Sequence, residues 1–409
     1  MKVIIAEKPS VAQQIAAVVG ATTRREGYIE GGGYAVTWAF GHLVGPAMPE
    51  AYGIEGFKRE NLPILPETFI LEPRRVKSGK EYKPDPGAVK QLAVLKELFS
   101  RAERIVVATD AGREGELIFR FIYHYLDCKT PFERLWISSL TERAIREGLA
   151  AVRPGSEYDD LYLSARARCE ADWIVGINAS QALAIAAGRG AWSLGRVQTP
   201  TLAMLVDRDS KITMFRKEKY HHVRLTLGGA EAVSEKIAAP EEAETLRAAC
   251  AGAEAVCASV TREQKKEAPP RLYDLTTLQR EANRLFGYTA KQTLDYAQSL
   301  YEKKLLTYPR TDSRFLTADM AETASVVLHL AAKVPPFDGC GEFFPDVSLL
   351  VNDKKVSDHH AIIPTLELEK ADLSELPVGE RNILLLVCRE LLCAVAEPYV
   401  YEAVTATFT

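Results

Sequence analysis

A chain of 409 residues exceeds one ordinary core, and at roughly 150 residues per domain it predicts two to four domains. Hydrophobic residues make up 47% and charged ones 26%, with a mean hydropathy of -0.10, which excludes disordered and collagen-like classes. A net charge of -4 and a pI near 6.1 argue mildly against a nucleic-acid partner.

In chain order, residues 3–6 form a short apolar run typical of a buried parallel strand. The run ends in charge at Glu7 and Lys8, too early for a secretory signal. Ser10 is placed to cap a helix through Val11, Ile15 and Val18. Residues 74–83 are a basic, turn-rich insertion, read as a solvated loop or a phosphate-contacting one. Residues 105–108 repeat the strand pattern and run through Thr109, Asp110, Ala111 and Gly112 into a helix containing Leu117, Ile118 and Phe119. Residues 135–137 predict a third strand, with Thr141 capping a helix over 142–150. Strands alternating with helices predict a parallel α/β sheet, in which ligands collect beyond the C-terminal strand ends.

From Asp159 the helical period takes over, with an apolar face of Leu161, Ala165, Cys169, Ala171 and Trp173 interleaved with Arg166, Arg168 and Asp172. A glycine-punctuated turn over 188–199 leads to a helix over 200–209. Residues 220–226 alternate like a strand, where His221 and His222 make poor metal ligands. Residues 230–253 read as a surface excursion, and the charged, proline-ended stretch 262–270 as a linker. Amphipathic helices follow over 275–286, 289–303 and 382–396, and residues 399–409 alternate like a strand. No segment is long and apolar enough to span a bilayer; the longest runs resemble residues 383–387. The seven cysteines, at 128, 169, 250, 257, 340, 388 and 393, form no CxxC pair, which argues against a disulfide framework or zinc ribbon and for a reducing cytoplasm.

Two groups of residues carry chemistry. Glu7, Asp110 and Glu114 lie at or just past strand ends, and such oxygen donors suit Mg²⁺, which keeps waters and takes one or two carboxylates. The plainer reading is a helix N-terminus enriched in acids for dipole reasons. In the segment 306–313, Tyr308 follows a helix and precedes Pro309, with Arg310 two residues on. Tyrosine needs activation to act as a nucleophile, and a guanidinium can stabilise a phenolate and clamp a phosphate. On its own the octet reads more simply as a turn tyrosine beside a surface arginine.

Taken in order, Ile5-Ala6-Glu7-Lys8-Pro9-Ser10, Gly41-His42-Leu43, Thr109-Asp110 through Arg113-Glu114-Gly115-Glu116, Leu194-Gly195-Arg196-Val197-Gln198-Thr199-Pro200, Thr307-Tyr308-Pro309-Arg310-Thr311-Asp312 and His359-His360-Ala361-Ile362-Ile363-Pro364-Thr365 resemble the motifs of type IA DNA topoisomerases, in particular the bacterial topoisomerase III branch. The resemblance runs over essentially the whole chain. It implies a multidomain α/β and α+β fold: an N-terminal Toprim domain with a Rossmann-like parallel sheet, followed by part of a toroidal gate. The implied domains are Toprim over 1–152, a helical DNA-binding part over 153–215, the first half of a strand-rich arch over 216–270, a helical domain carrying the tyrosine over 271–397, and an incomplete return of gate strands over 398–409.

The implied activity is ATP-independent, Mg²⁺-dependent strand passage that relaxes or decatenates DNA. Tyr308 would attack one strand and hold its 5′ phosphate, and Arg310 would stabilise the transition state. Lys8 would contact the scissile phosphate, Glu7 would serve in acid–base transfer, and His359 would hold a phosphate oxygen. Arg168, Asp172, Arg196, Gln198, Asp312 and His42 would grip single-stranded or underwound DNA. Neither a membrane nor a nucleotide cofactor is expected, and no Walker-type glycine loop is present. Family members commonly carry a second aspartate at the position of Gly112, so the implied Mg²⁺ rests on Asp110 and Glu114 with Glu7, which argues against two metals. Members also continue well past a point corresponding to Thr409, which implies a C-terminally shortened chain. The alternatives are a single-strand-binding or cleaving fragment without net relaxation, and another Toprim enzyme such as a primase or nuclease, for which Tyr308 is superfluous. The acidic total also averages unlike regions: residues 271–314 hold eight Lys or Arg against five Asp or Glu, and residues 230–270 hold five against eight.

Overall fold

The apolar run at the N-terminus forms β1 (Lys2–Ala6), with every residue from Val3 to Ala6 completely buried. A strand so covered needs helices on both faces, and it has them. In the computed structural model, which describes all residues except 80, 138, 139, 189, 191, 340–344, 357, 358 and 409, α1 (Pro9–Val19) returns along one face. The sheet continues with β2 (Thr23–Arg25), β3 (Tyr28–Gly31) and β4 (Tyr34–Trp38). A short pair follows, β5 (Val44–Pro46) with β6 (Leu71–Pro73), and then a hairpin, β7 (Arg75–Ser78) with β8 (Glu81–Pro84). After α2 (Pro86–Arg101) come β9 (Arg104–Ala108), α3 (Arg113–Tyr125), β10 (Phe132–Arg134), α4 (Glu142–Ala150), β11 (Arg153–Pro154) and the long α5 (Asp159–Ala187).

The sheet order is β11-β10-β9-β1-β4-β3-β2, with β1 parallel to both β4 and β9, and β9 parallel to β10. Side chains alternate across it. Val3 and Ile5 pack with Leu92, Leu95 and Phe119, whereas Ile4 and Ala6 pack with Val11, Ile15 and Ile145. The predicted α/β sheet is therefore present, with three local differences. The strand expected over 135–137 lies three residues earlier, over Phe132–Arg134, because its charged Arg134 finds partners in the core. Leu135 still donates its amide to Val107, but Trp136 is already 42% exposed. Ser10 does not cap α1; the helix opens at Pro9, which needs no donor there, after an extended Lys8. The basic insertion is the β7–β8 hairpin, with Arg74 folded onto Asp85. Thr141 caps α4 as predicted, accepting from the Ala144 amide.

This portion forms one compact unit with Pro269–Ala396. There α6 (Leu275–Phe286) and α7 (Ala290–Glu302) each start with a reciprocal capping box, at Asp274 and at Thr289. They pack with α9 (Val378–Ala394), which follows α8 (Ala321–Ala331), through Leu278, Leu300, Ile383 and Val387. Burial pushes the Cys388 thiol up to about 12, as fits a core residue rather than a reactive one.

The second unit comprises Val197–Ala268 and Glu397–Thr409. It holds a helix Gln198–Thr213, a hairpin of Arg224–Leu227 with Ala230–Val233, and a helix Pro240–Cys250. The predicted linker is instead part of a strand, Cys257–Glu267, paired antiparallel with Tyr399–Phe408. Its charged residues read as a linker because a two-stranded ribbon exposes them all. The six described cysteines are free thiols, and Cys340 lies outside the described residues. Among the described residues no helix is long and apolar enough to cross a membrane.

One glycine governs where β9 hands over to α3. A Cβ on Gly115 would lie 2.0 Å from the Asp110 carbonyl oxygen. Gly115→Ala must push α3 off the strand end, and overpacking of this kind costs about 1–3 kcal/mol or more. The denaturation midpoint of that variant should fall, and an unchanged midpoint would show that α3 slides without cost.

Candidate active site

β1 and β9 run in parallel with Ala6 opposite Ala108, so the residues just beyond them emerge side by side. Glu7 and Lys8 leave one strand, Thr109 and Asp110 the other, at the C-terminal edge of the sheet. Lys8 Nζ lies 3.7 Å from Asp110 Oδ2. Burial raises the proton affinity of Glu7, and the neighbouring Asp110 charge raises it further. Asp110 moves the other way. Burial opposes its charge, but the His359 hydrogen bond and the positive charges of Lys8 and Arg134 outweigh that and hold it below the usual carboxylate range. Lys8 behaves likewise: burial works against its ammonium, and Asp110, Tyr308 and Glu7 together hold its pKa above the ordinary value.

Tyr308 arrives from the helical portion of the same unit. The chain leaving α7 runs alongside the segment that carries His359, and threonines pin the two together. Thr307 accepts the Ile363 amide at 3.0 Å on its hydroxyl, donates that hydroxyl to the Ala361 carbonyl at 3.2 Å, and gives its own amide to the Ile363 carbonyl. Thr311 donates its hydroxyl to the His359 carbonyl at 2.8 Å. Between these pins the Tyr308 and His359 rings meet with centroids 4.5 Å apart. His359 Nε2 lies 3.2 Å from Asp110 Oδ2, which ties this segment to the end of β9. Lys8 Nζ stands 3.6 Å above the Tyr308 ring centroid, and the Tyr301 ring packs against Tyr308 edge-on at 5.3 Å. A cation over a half-buried phenol ring is worth on the order of 0.5–2 kcal/mol.

The structure therefore brings together Glu7, Lys8, Asp110, Tyr308 and His359. Glu114 is directed elsewhere: its carboxylate accepts from Arg168 Nη2, one turn of α5 from Asp172. Asp172 in turn receives Arg196 through two bonds, Nε to Oδ1 at 2.7 Å and Nη2 to Oδ2 at 3.0 Å. His42 sits against this group; burial lowers its imidazole pKa, and the Arg168 and Arg74 charges add to that against Glu114. Arg310 and Asp312 are exposed, and Gln198 is the exposed first residue of its helix in the second unit.

Among the described residues no group of three or more His, Cys, Asp or Glu is gathered closely enough to hold a metal ion. Glu7 and Asp110 nevertheless fit a hard divalent cation. They are oxygen donors at adjacent strand ends, and two carboxylates with waters suffice for a hard divalent cation. Sequence reasoning missed Tyr301 and the buried Arg134, which donates to the Asp110 carbonyl at 2.6 Å. Its only signal was a charged residue bordering the apolar run of Leu135 to Ile137.

A family profile described as Toprim domain matches residues 2–140, and one described as DNA topoisomerase matches residues 156–409. The DNA topoisomerase 3 of Shouchella clausii is 43% identical over 410 residues, covering 96% of this chain and 54% of the relative. The DNA topoisomerase 3 of Bacillus subtilis is 43% identical over 418 residues, covering 98% and 55%. The chain thus spans about half the length of the curated relatives it matches. The structure of full-length topoisomerase I from Thermotoga maritima superposes with a TM-score of 0.65 at 26% identity, covering 99% of this chain and 63% of that one.

The threonine pins make a prediction. Thr307→Val leaves the Ile363 amide without its hydroxyl acceptor, a loss worth about 1–3 kcal/mol. Hydrogen exchange at that amide should quicken about tenfold or more, and unchanged exchange would mean that the pin does not hold the segment.

Proposed function

The chain belongs to the type IA DNA topoisomerase family, and from that premise we propose that it breaks and rejoins one strand of DNA through Tyr308. The observation that carries the reading is the enclosure of the Tyr308 ring by Lys8 and His359, both in turn bound to Asp110. The tyrosine oxygen attacks the phosphorus of a single-stranded segment, the bond from phosphorus to the 3′ oxygen breaks, and the 5′ phosphate stays on Tyr308. The phenol gives up a proton and the departing 3′ oxygen takes one. Glu7, whose proton affinity is raised by burial and by Asp110, is suited to that transfer, and Lys8 to contacting the scissile phosphate.

The exposed Arg310 is free to turn toward phosphate and to stabilise charge in the transition state, and His359 to hold a phosphate oxygen. Arg168, Asp172, Arg196, Gln198, Asp312 and His42 are assigned to gripping the strand, the arginines by exchanging carboxylate partners for phosphates. The phosphotyrosine link conserves the energy of the bond it replaces, so the reaction needs no nucleotide. Toprim domains generally bind divalent cations, and we assign Mg²⁺ to Asp110 and Glu7, with Glu114 as a further ligand on release from Arg168. When bound, the ion supplies positive charge against the phosphate. The free thiols of the described cysteines suit a reducing compartment, and the cytoplasm is the assigned location.

The test is an end-labelled single-stranded oligonucleotide. Tyr308→Phe should abolish the covalent adduct on a denaturing gel while oligonucleotide affinity stays within about twofold, since only one hydroxyl is lost. An adduct formed by that variant would overturn the nucleophile assignment. Asp110→Ala should slow Mg²⁺-dependent rejoining of the adduct, and an unaltered magnesium titration would remove Asp110 from the metal site.

A further inference from the structure

Behind Asp110 lies a side chain that the proposed chemistry does not use. Arg134 ends β10 only 1% exposed, among the largest fully buried side chains of the protein. Its Nη1 donates to the Val107 carbonyl at 2.9 Å and the Thr109 carbonyl at 2.8 Å, and its Nη2 to the Asp110 carbonyl at 2.6 Å. Its Nε faces Glu116 Oε2 at 3.1 Å, and Glu116 also accepts from Arg120 Nε at 2.9 Å.

We propose that Arg134 is a positioning residue for the cleavage site: its planar fork gathers the carbonyls of the turn that leaves β9 and so fixes the direction in which the Asp110 carboxylate points. The inference rests on the assignment of Asp110 to that site. Past Ala108 the strand ends, and the Thr109 and Asp110 carbonyls are no longer held by a sheet ladder. Irregular backbone of this kind costs on the order of 1–2 kcal/mol per residue to immobilise. The guanidinium supplies the missing donors from a rigid side chain that burial holds still. On the opposite side, the Thr109 hydroxyl donates to the Gly115 carbonyl at 2.7 Å, and the Gly112 amide donates to the Asp110 carbonyl at 2.8 Å. The turn is thus held from the sheet behind it and from the helix ahead.

Fold stability alone does not account for a buried charge here. A buried ion pair is commonly replaceable by apolar side chains without loss, because desolvation offsets its attraction. Nor does charge balance account for the geometry. Glu116 already has Arg120, whereas Arg134 sends two further bonds to the Thr109 and Asp110 carbonyls past the strand end, beside those to the Val107 and Leu135 carbonyls. Lysine would preserve the charge facing Glu116 but cannot reproduce the fork.

The experiment compares Arg134→Lys and the pair Arg134→Met with Glu116→Gln, the latter removing both charges together so that neither is left buried alone. Rejoining of a preformed oligonucleotide adduct should slow about 10- to 100-fold in both, with oligonucleotide affinity within about twofold. Hydrogen exchange at the Gly112 amide should quicken in both. Exchange at the wild-type rate in Arg134→Lys would overturn the clamp irrespective of activity, and so would rejoining at the wild-type rate. If the paired variant does not fold, Arg134→Lys decides alone. Asp110→Ala run in parallel separates the two levels. If it rejoins normally, the site assignment falls and this inference with it. If it is slowed while the Arg134 variants are not, only the positioning role fails.

Discussion

The Asp110 carboxylate is where two portions of the chain separated by some two hundred residues are made to agree. One oxygen, Oδ2, is within 3.7 Å of Lys8 Nζ and 3.2 Å of His359 Nε2. Lys8 is there because β1 and β9 are parallel neighbours in register, and His359 is there because its segment is pinned to that of Tyr308. Without the parallel register, Glu7 and Lys8 would emerge away from Asp110. Without the threonine pins, His359 would meet the carboxylate but carry no tyrosine with it. The hydrophobic clusters on the sheet faces and those of the helical portion are built separately, so the site depends on a few polar contacts whose geometry the clusters permit but do not impose.

Those contacts also set the local charge. Two carboxyl groups sit at adjacent strand ends, and the protein treats them asymmetrically: the His359 hydrogen bond and the Lys8 charge lower the Asp110 pKa against its burial, while burial and then the Asp110 charge raise that of Glu7. The result is two neighbouring carboxyl groups shifted in opposite directions, beside a lysine whose ammonium stands over the Tyr308 ring. The net charge of -4 says nothing of this, because it averages over surface carboxylates far from the site. The relevant charges number a handful, and half-burial strengthens their interactions relative to those on the surface.

How much of this the amino-acid sequence disclosed follows from what kind of interaction each feature depends on. The apolar runs of β1 and β9 were legible because a doubly covered strand must be hydrophobic throughout. The helix cap at Thr141 was legible because it is local. Glu7, Lys8, Asp110, Tyr308 and His359 could be named because they sit in short motifs at the ends of such elements. Strand β10 was misplaced by a few residues, since a charged Arg134 looks incompatible with a core until its carbonyl partners are known. The Cys257–Glu267 strand was taken for a linker because its partner lies more than a hundred residues away, and only pairing satisfies so polar an extended chain. Glu114 was grouped with Asp110 by spacing, whereas Arg168 on α5 draws its carboxylate aside. Each miss is a long-range polar contact, which periodicity cannot register.

The same distinction bears on how the site can work. Apolar packing on both faces of the sheet holds β1 and β9 in place, because a well-filled interior leaves little room for alternatives. Polar contacts at the sheet end are different: the side chains that make them are partly exposed, and water can compete for each. On the proposed reading, a phosphate entering beside Tyr308 would offer Lys8 and His359 a doubly accepting anionic partner in place of Asp110. What must not move during that exchange is the Asp110 backbone, and that part is held by buried bonds alone, the Gly115 approach on one side and the Arg134 fork on the other. On the proposed reading, the division between exchangeable contacts at the front of the turn and fixed ones behind it would let a strand be gripped and released without disturbing the fold that presents the carboxylate.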